Sequence, residues 1–214
     1  VTTRGRFISF EGGEGVGKST QIKALADYLK TKDIPVLITR EPGGTEGGEL
    51  IRNLVLEGST DRWDPMAELL LIYAARRDHV VRVVKPAMAR GEWVLCDRYA
   101  DSSIVYQGVV RGLGGETVRR LHRLSLGNFW PDLTILLDMD ANAGLGRADL
   151  RDADASYRFE RMGVEFHKKV RQAFLNLAKD DKNRYAIVNA AEEIEDVSAN
   201  IFASVDARLL GKVS

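Results

Sequence analysis

The sequence predicts an α/β fold, a doubly wound five-stranded parallel sheet with helices on both faces, in a single domain over 1–214. Three observations predict it. Five short apolar runs are near-continuous rather than alternating, as strands covered on both faces read. Helical periodicities fill the intervals, and strands alternating with helices give a parallel sheet. The first apolar run leads directly into a glycine-rich loop that opens a helix.

The apolar runs are Phe7 to Phe10, Val36 to Thr39, Trp93 to Cys96, Leu133 to Leu137 and Tyr185 to Val188. After the first, Ile22, Leu25, Ala26 and Leu29 keep i, i+3, i+4, i+7 spacing until Lys32-Asp33-Ile34-Pro35 ends the helix. Asp64 and Pro65 are an N-cap and a first helical residue for a long helix through Leu69, Ile72, Tyr73 and Val80. Leu121 and Leu124 belong to a helix that stops at Gly127. Phe159, Met162, Phe166, Val170, Phe174 and Leu177 stripe another helix, and Ile194, Val197, Ile201 and Val205 the last. Of 20 glycines, 12 fall in three clusters, at 12–17, 43–48 and 108–115, which read as ligand-facing loops.

Composition excludes several classes. Lys plus Arg is 31 and Asp plus Glu is 31, so the balanced charge gives no basic excess for sequence-independent attraction to nucleic acid. One cysteine forms no internal disulfide, and Cys96 sits in an apolar run as a buried hydrophobe. His79, His122 and His167 stand apart in sequence and read as surface or packing residues, not metal ligands. No stretch approaches the ~18 apolar residues of a membrane span, and the first five residues hold no apolar run; the expectation is a cytoplasmic protein without a membrane partner.

Gly12-Gly13-Glu14-Gly15-Val16-Gly17-Lys18-Ser19 satisfies G-x-x-x-x-G-K-[ST], and Thr20 follows it into the helix. Glycines let successive backbone N–H groups curl around phosphate oxygens, and the helix N-terminus adds partial positive charge. Lys18 reaches the β- and γ-phosphates, and the Ser19 hydroxyl suits Mg²⁺. The dinucleotide pattern G-x-G-x-x-G fails, because Lys18 occupies its third glycine position. An N-K-x-D guanine reader and an L-S-G-G-Q signature are both absent, which leaves a small kinase favoured over a GTPase or a transport ATPase.

Asp97-Arg98-Tyr99 closes the third strand at the carboxyl edge of the sheet, where ligands of such sheets bind. Asp97 is placed to support Mg²⁺, and Arg98 to grip a second phosphate bidentately. Arg40-Glu41-Pro42-Gly43-Gly44-Thr45 ends the second strand, so three strand ends carry polar or glycine-rich loops.

Together, the loop 11–20, the 40–45 run, Arg76-Arg77, Asp97-Arg98-Tyr99 and Ser102-Ser103…Tyr106-Gln107-Gly108 resemble the bacterial thymidylate (dTMP) kinases, P-loop nucleoside monophosphate kinases, in order from Arg6 to about Asn189. The resemblance implies a P-loop kinase fold with a short lid at about 147–160, ATP as co-substrate with Mg²⁺ as cofactor, dTMP as acceptor, and a homodimer packed through helices. It implies that the phosphate loop, residues 12–20, binds ATP. It implies Glu14 at the deoxyribose 3′-hydroxyl, Arg98 at the acceptor phosphate, and Arg76 at the thymine edge, with Glu41, Ser103 and Gln107 also in the dTMP site. The family's ring-stacking aromatic falls at Ile72 in this chain; either neighbouring Tyr73 supplies the ring, paired with Arg77, or the base packs on an aliphatic face. The family's lid arginine corresponds to Arg151 or Arg147, one helical turn apart, with Arg158-Phe159-Glu160 resembling the lid motif and Tyr157 departing from it. Lys18, Arg98 and Arg151 are then the catalytic set, Arg147 a further ATP ligand, and Ser19 and Asp97 the metal-holding pair.

The implied reaction turns ATP and dTMP into ADP and dTDP, a step towards dTTP, and needs no general base, because a phosphate monoester's second pKa is about 6. Rival readings are a kinase for another nucleoside monophosphate or a deoxynucleoside, and a non-catalytic ATP-binding switch. A nucleoside acceptor would require Glu41 or Asp97 as base; a switch would have no use for a second phosphate site.

Overall fold

Each of the five apolar runs is a strand, and each strand begins at the residue expected: β1 Phe7–Gly12, β2 Val36–Arg40, β3 Trp93–Asp97, β4 Leu133–Asp138 and β5 Tyr185–Asn189. The structure is a computed structural model that describes residues 4–149, 159 and 162–211. All pairings are parallel, in the order β2-β3-β1-β4-β5. Every strand runs one or two residues past its apolar stretch, and those added residues are Glu11 and Gly12, Arg40, Asp97, Asp138 and Asn189. Polar residues are therefore paired into the sheet at its carboxyl edge.

Side chains alternate across the sheet and feed two apolar layers. On one face Ile8, Phe10, Leu133 and Ile135 pack against Ile22, Leu25 and Leu29 of α1 (Lys18–Lys30) and Val197, Ile201 and Val205 of α9 (Ile194–Val205). On the other, Phe7, Val94 and Cys96 meet Val80, Val84 and Met88 of a long helical stretch. There α3 (Pro65–His79) continues through a π-helical turn, Val80–Val84, into α4 (Lys85–Ala89). Pro86 lies just past that turn; it has no N–H to return to Arg82 and its ring crowds that carbonyl, so the backbone widens. Asp64 caps α3 as expected, accepting from Met66 N at 2.9 Å and Ala67 N at 3.2 Å.

Three sequence expectations are corrected. Gly47 and Gly48 are not in a loop but in the first turn of α2 (Glu46–Leu56), where Thr45 Oγ1 accepts from Gly48 N at 3.0 Å. A strong cap and two acidic residues in the first turn, Glu46 and Glu49, outweigh the low helix propensity of glycine. Phe159 and Met162 precede α8 (Val164–Asp180), whose buried face is His167, Val170, Ala173, Phe174 and Ala178. The third glycine cluster is only partly loop, because after α5 (Ala100–Ser103) a π-helical segment, Ile104–Val110, includes Gly108 and leads to α6 (Gly115–Leu126). Between β4 and α8 lies α7 (Ala141–Asp149).

Candidate active site

The first, second and third strand ends, with α2, α3, α5 and the π-helical segment after it, surround a cleft of about 340 Å³. Its lining includes Glu14, Gly15, Val16, Gly17, Lys18 and Ser19 from the glycine-rich loop. From the other side come Glu41, Ile72, Arg76, Asp97, Arg98, Ser103, Tyr106 and Gln107. Most of the expected phosphate-loop and acceptor residues thus meet in one cavity.

The loop fits closely because two glycines leave room for backbone. Gly12 has φ 139°, and a Cβ there would stand 2.5 Å from Leu137 O. A Cβ on Gly144 of α7 would stand 2.5 Å from Glu14 O. Lys18, nearly buried, donates to Gly13 O at 2.8 Å. Burial together with the neighbouring Arg98 lowers its pKa, against the pull of Asp97 and Glu14. Thr20 is exposed on the first turn of α1 and does not line the cleft, nor do Gly12 and Gly13, which line a smaller hollow behind the loop.

Arg98 takes φ 66°, a left-handed backbone that aims its side chain back at the loop. It donates to Gly12 O at 3.1 Å, Ser102 Oγ at 3.2 Å and Glu14 Oε1 at 2.6 Å, and lies over the Tyr106 ring. Tyr106 OH also donates to Glu14 Oε1, at 3.2 Å. Burial alone would raise the Glu14 carboxyl, but Arg98 and Lys18 outweigh it and hold the pKa below the usual carboxylate value. Neighbouring Asp97 has a buried Oδ1 with no hydrogen-bond partner among the described residues.

Arg76 is 2% exposed yet touches the cleft. Its Nε donates to Glu41 Oε2 at 2.6 Å, Nη1 to Ser103 Oγ at 2.9 Å, and Nη2 to Tyr99 O at 3.1 Å. Glu41 Oε1 faces His79 Nδ1 at 2.9 Å, and His79 Nε2 faces Thr39 Oγ1 at 2.7 Å. Burial would raise the Glu41 carboxyl; Arg76 and His79 more than offset that, and its pKa is lowered. Among the described residues Glu41, His79 and Cys96 form a cluster with metal-ligand chemistry, but each is engaged: Cys96 Sγ donates to Arg98 O at 3.0 Å.

The aromatic expectation at Tyr73 is corrected. Tyr73 does not line the cleft; its ring packs with Leu69, Ile104 and Val118, under the Arg76 guanidinium. Arg77 points elsewhere too, donating to Ser125 O at 2.8 Å. Ile72 lines the cleft instead, so the helix presents an aliphatic face. Arg147 is exposed on α7 and donates to Ala190 O at 3.2 Å, away from the cleft lining. Arg151 lies outside the described residues, as do Tyr157, Arg158 and most of the expected lid.

Two residues escaped the sequence reading. Arg52 of α2 lines the cleft and donates to Pro42 O at 2.9 Å, with no motif to mark it. Glu11, fully buried, accepts from Tyr99 N at 2.8 Å and Ser102 Oγ at 2.6 Å, bracing the chain just after the Arg98 turn. Burial and the charge of Asp101 push its pKa up to about 7.

The thymidylate kinase family model matches residues 10–201. A thymidylate kinase of Caulobacter vibrioides is 48% identical over 207 residues, 97% of this chain and 99% of that one. One from Rhizorhabdus wittichii is 47% identical over 94% of this chain and 97% of its own. The crystal structure of thymidylate kinase from Ehrlichia chaffeensis superimposes with a TM-score of 0.76 at 32% identity, covering 94% of this chain and 99% of that chain.

Proposed function

The chain belongs to the thymidylate kinase family, and from that premise we propose how its cleft carries out the transfer of a phosphoryl group from ATP to dTMP. The observation that carries the reading is that Lys18, Asp97 and Arg98 line one cavity, giving two phosphate-binding groups side by side. The backbone N–H groups of Glu14 to Ser19 hold the ATP phosphates, and Lys18 neutralises charge as it shifts towards the bridging oxygen. Arg98 exchanges its Glu14 contact for the dTMP phosphate, and Glu14 turns to the deoxyribose 3′-hydroxyl. Arg76, held by Glu41 and Ser103, offers its guanidinium edge to the thymine carbonyl, with Gln107 beside it and Ile72 packing on the ring. The acceptor oxygen is already anionic, so no residue acts as a base.

The donor set fits Mg²⁺: the buried, unpartnered Asp97 Oδ1 and the Ser19 hydroxyl border the same cleft as Lys18. When bound, the ion screens phosphate charge and orients the transferring group. Arg151 supplies the remaining positive charge from the lid, with Arg147 a weaker candidate because it is tied to Ala190 O. The protein acts as a homodimer in the cytoplasm; Leu70 of α3, 52% exposed, and Leu124 of α6, 84% exposed, are large apolar side chains that a second copy would cover. No described helix is long and apolar enough to cross a membrane.

A coupled ADP-release assay with ATP and Mg²⁺ against dTMP, dUMP, UMP, CMP, GMP, AMP and thymidine tests the acceptor assignment. Strong turnover with dTMP, weaker with dUMP and none with thymidine is expected. Turnover with thymidine alone would discard these roles for Arg98 and Arg76.

A further inference from the structure

Gln107 faces the cleft at one end and a buried ion pair at the other. Its Nε2 donates to Glu68 Oε1 at 2.8 Å, and Arg111 Nη1 holds Glu68 Oε2 while its Nη2 donates to Trp63 O at 2.7 Å. Glu68 is fully buried on α3 and is absent from the cleft lining, whereas Gln107 is 2% exposed and belongs to it. An amide can turn either end to a neighbour, but an ionised carboxylate offers only acceptors. Arg111 supplies the countercharge that a buried carboxylate requires. One N–H of the Gln107 amide is therefore held by Glu68, which fixes the orientation of the group and leaves its carbonyl oxygen, at the opposite side of the amide, to accept from a ligand.

We propose that Glu68 is a specificity-determining positioning residue, fixing Gln107 as a hydrogen-bond acceptor so that the cleft selects pyrimidines with an N3–H. Thymine and uracil carry that donor. Cytosine presents a lone pair at N3, which would face the Gln107 oxygen acceptor to acceptor. Selection is thus partly by repulsion of the wrong base. Glu68 touches no part of the nucleotide and acts through Gln107 alone. The inference rests on the reading that Gln107 meets the base.

The test measures kcat and KM with dTMP, dUMP and dCMP for the wild type, Glu68→Gln and Gln107→Leu, with thermal melts to confirm folding. In Glu68→Gln the replacing amide accepts or donates, so Gln107 is free to flip. The dTMP-to-dCMP ratio of kcat/KM is expected to fall about tenfold or more, through KM rather than kcat. The double variant Glu68→Gln/Arg111→Met removes the stranded countercharge and carries the same expectation if the single variant does not fold. Gln107→Leu is expected to raise the dTMP KM. A folded Glu68→Gln variant with the wild-type ratio, beside an impaired Gln107→Leu, would overturn the role of Glu68 alone. An unimpaired Gln107→Leu would overturn the reading of Gln107, and this inference with it.

Discussion

The two halves of the cleft are built by opposite means. The half assigned above to ATP is backbone: one unbroken stretch, Gly12 to Ser19, wraps a helix N-terminus, with Lys18 turned onto its own loop carbonyls. The half proposed for dTMP is side chain: Arg76, Glu41, Ser103, Arg98, Glu14 and Gln107 arrive from several elements and are held by hydrogen bonds among largely buried groups. Peptide groups read only phosphate, which every nucleotide carries. A network of side chains can read one base, and on the proposed reading its members depend on partners behind them, as Arg76 does on Glu41 and Gln107 on Glu68. The first half is tolerant of what it binds and local in sequence; the second is selective and assembled across the whole chain.

That contrast breaks most sharply at Lys18. Lys18→Ala removes the one cationic side chain of the backbone half, and kcat is expected to fall on the order of 10³-fold. The melting curve is expected to stay close to the wild type, because the hydrogen bonds of Lys18 go to its own loop carbonyls. A change of less than tenfold would show that the backbone alone carries the ATP half.

Glu41→Gln tests the dependence of the other half on partners. It strands the Arg76 guanidinium without its buried countercharge, at a cost of about 3 kcal/mol in unfolding free energy. The KM for dTMP is expected to rise with it while the KM for ATP holds, as steady-state kinetics and urea melts would show.

The pH profile sharpens the comparison further. Glu11, with its pKa near 7 instead of 4.5, keeps a proton in the native state that the unfolded chain has released. Its contribution to stability is complete below pH 4.5 and is lost as pH rises to about 7. His122 works in the other direction. Burial pushes it down from 6.5 to about 4, so its contribution is complete above pH 6.5 and is lost as pH falls towards 4. Glu11→Gln deletes the first effect and leaves the second. Its unfolding free energy from urea melts is expected to climb with pH between 4.5 and 6.5 more steeply than the wild type's, by on the order of 3 kcal/mol over the full window. Equal slopes would mean that Glu11 titrates as it does in the unfolded chain.

The smallest effect is expected at Tyr73→Phe. Its hydroxyl stands 3.4 Å from His122 Nδ1, outside the cleft lining, so the dTMP KM is expected to change less than about twofold. A larger change would return Tyr73 to the substrate.

The same contrast explains which parts of the molecule are legible in the sequence. The ATP half is legible because its meaning lies in eight consecutive residues, Gly12 to Ser19. The five strands are legible by their apolar runs, but each continues one or two residues into the polar edge, where hydropathy no longer marks a strand. In the dTMP half the residue types are legible and their pairings are not: Glu41 lies 35 positions from Arg76, Glu68 lies 39 from Gln107, and Glu11 lies 88 from Tyr99. Tyr73 and Ile72 differ by one helical step of about 100°, and only the packing of Tyr73 against Val118 decides which of them reaches the cleft.

The contact between Gly144 and Glu14 has a mechanical consequence. Helix α7 meets the phosphate loop backbone against backbone, with no room for even a methyl group between them. Side chains at such a joint would act as springs, absorbing small displacements by changing rotamer. At this joint no side chain stands between the two backbones, so a displacement of α7 towards the loop meets the Glu14 carbonyl directly instead of being taken up by a rotamer change.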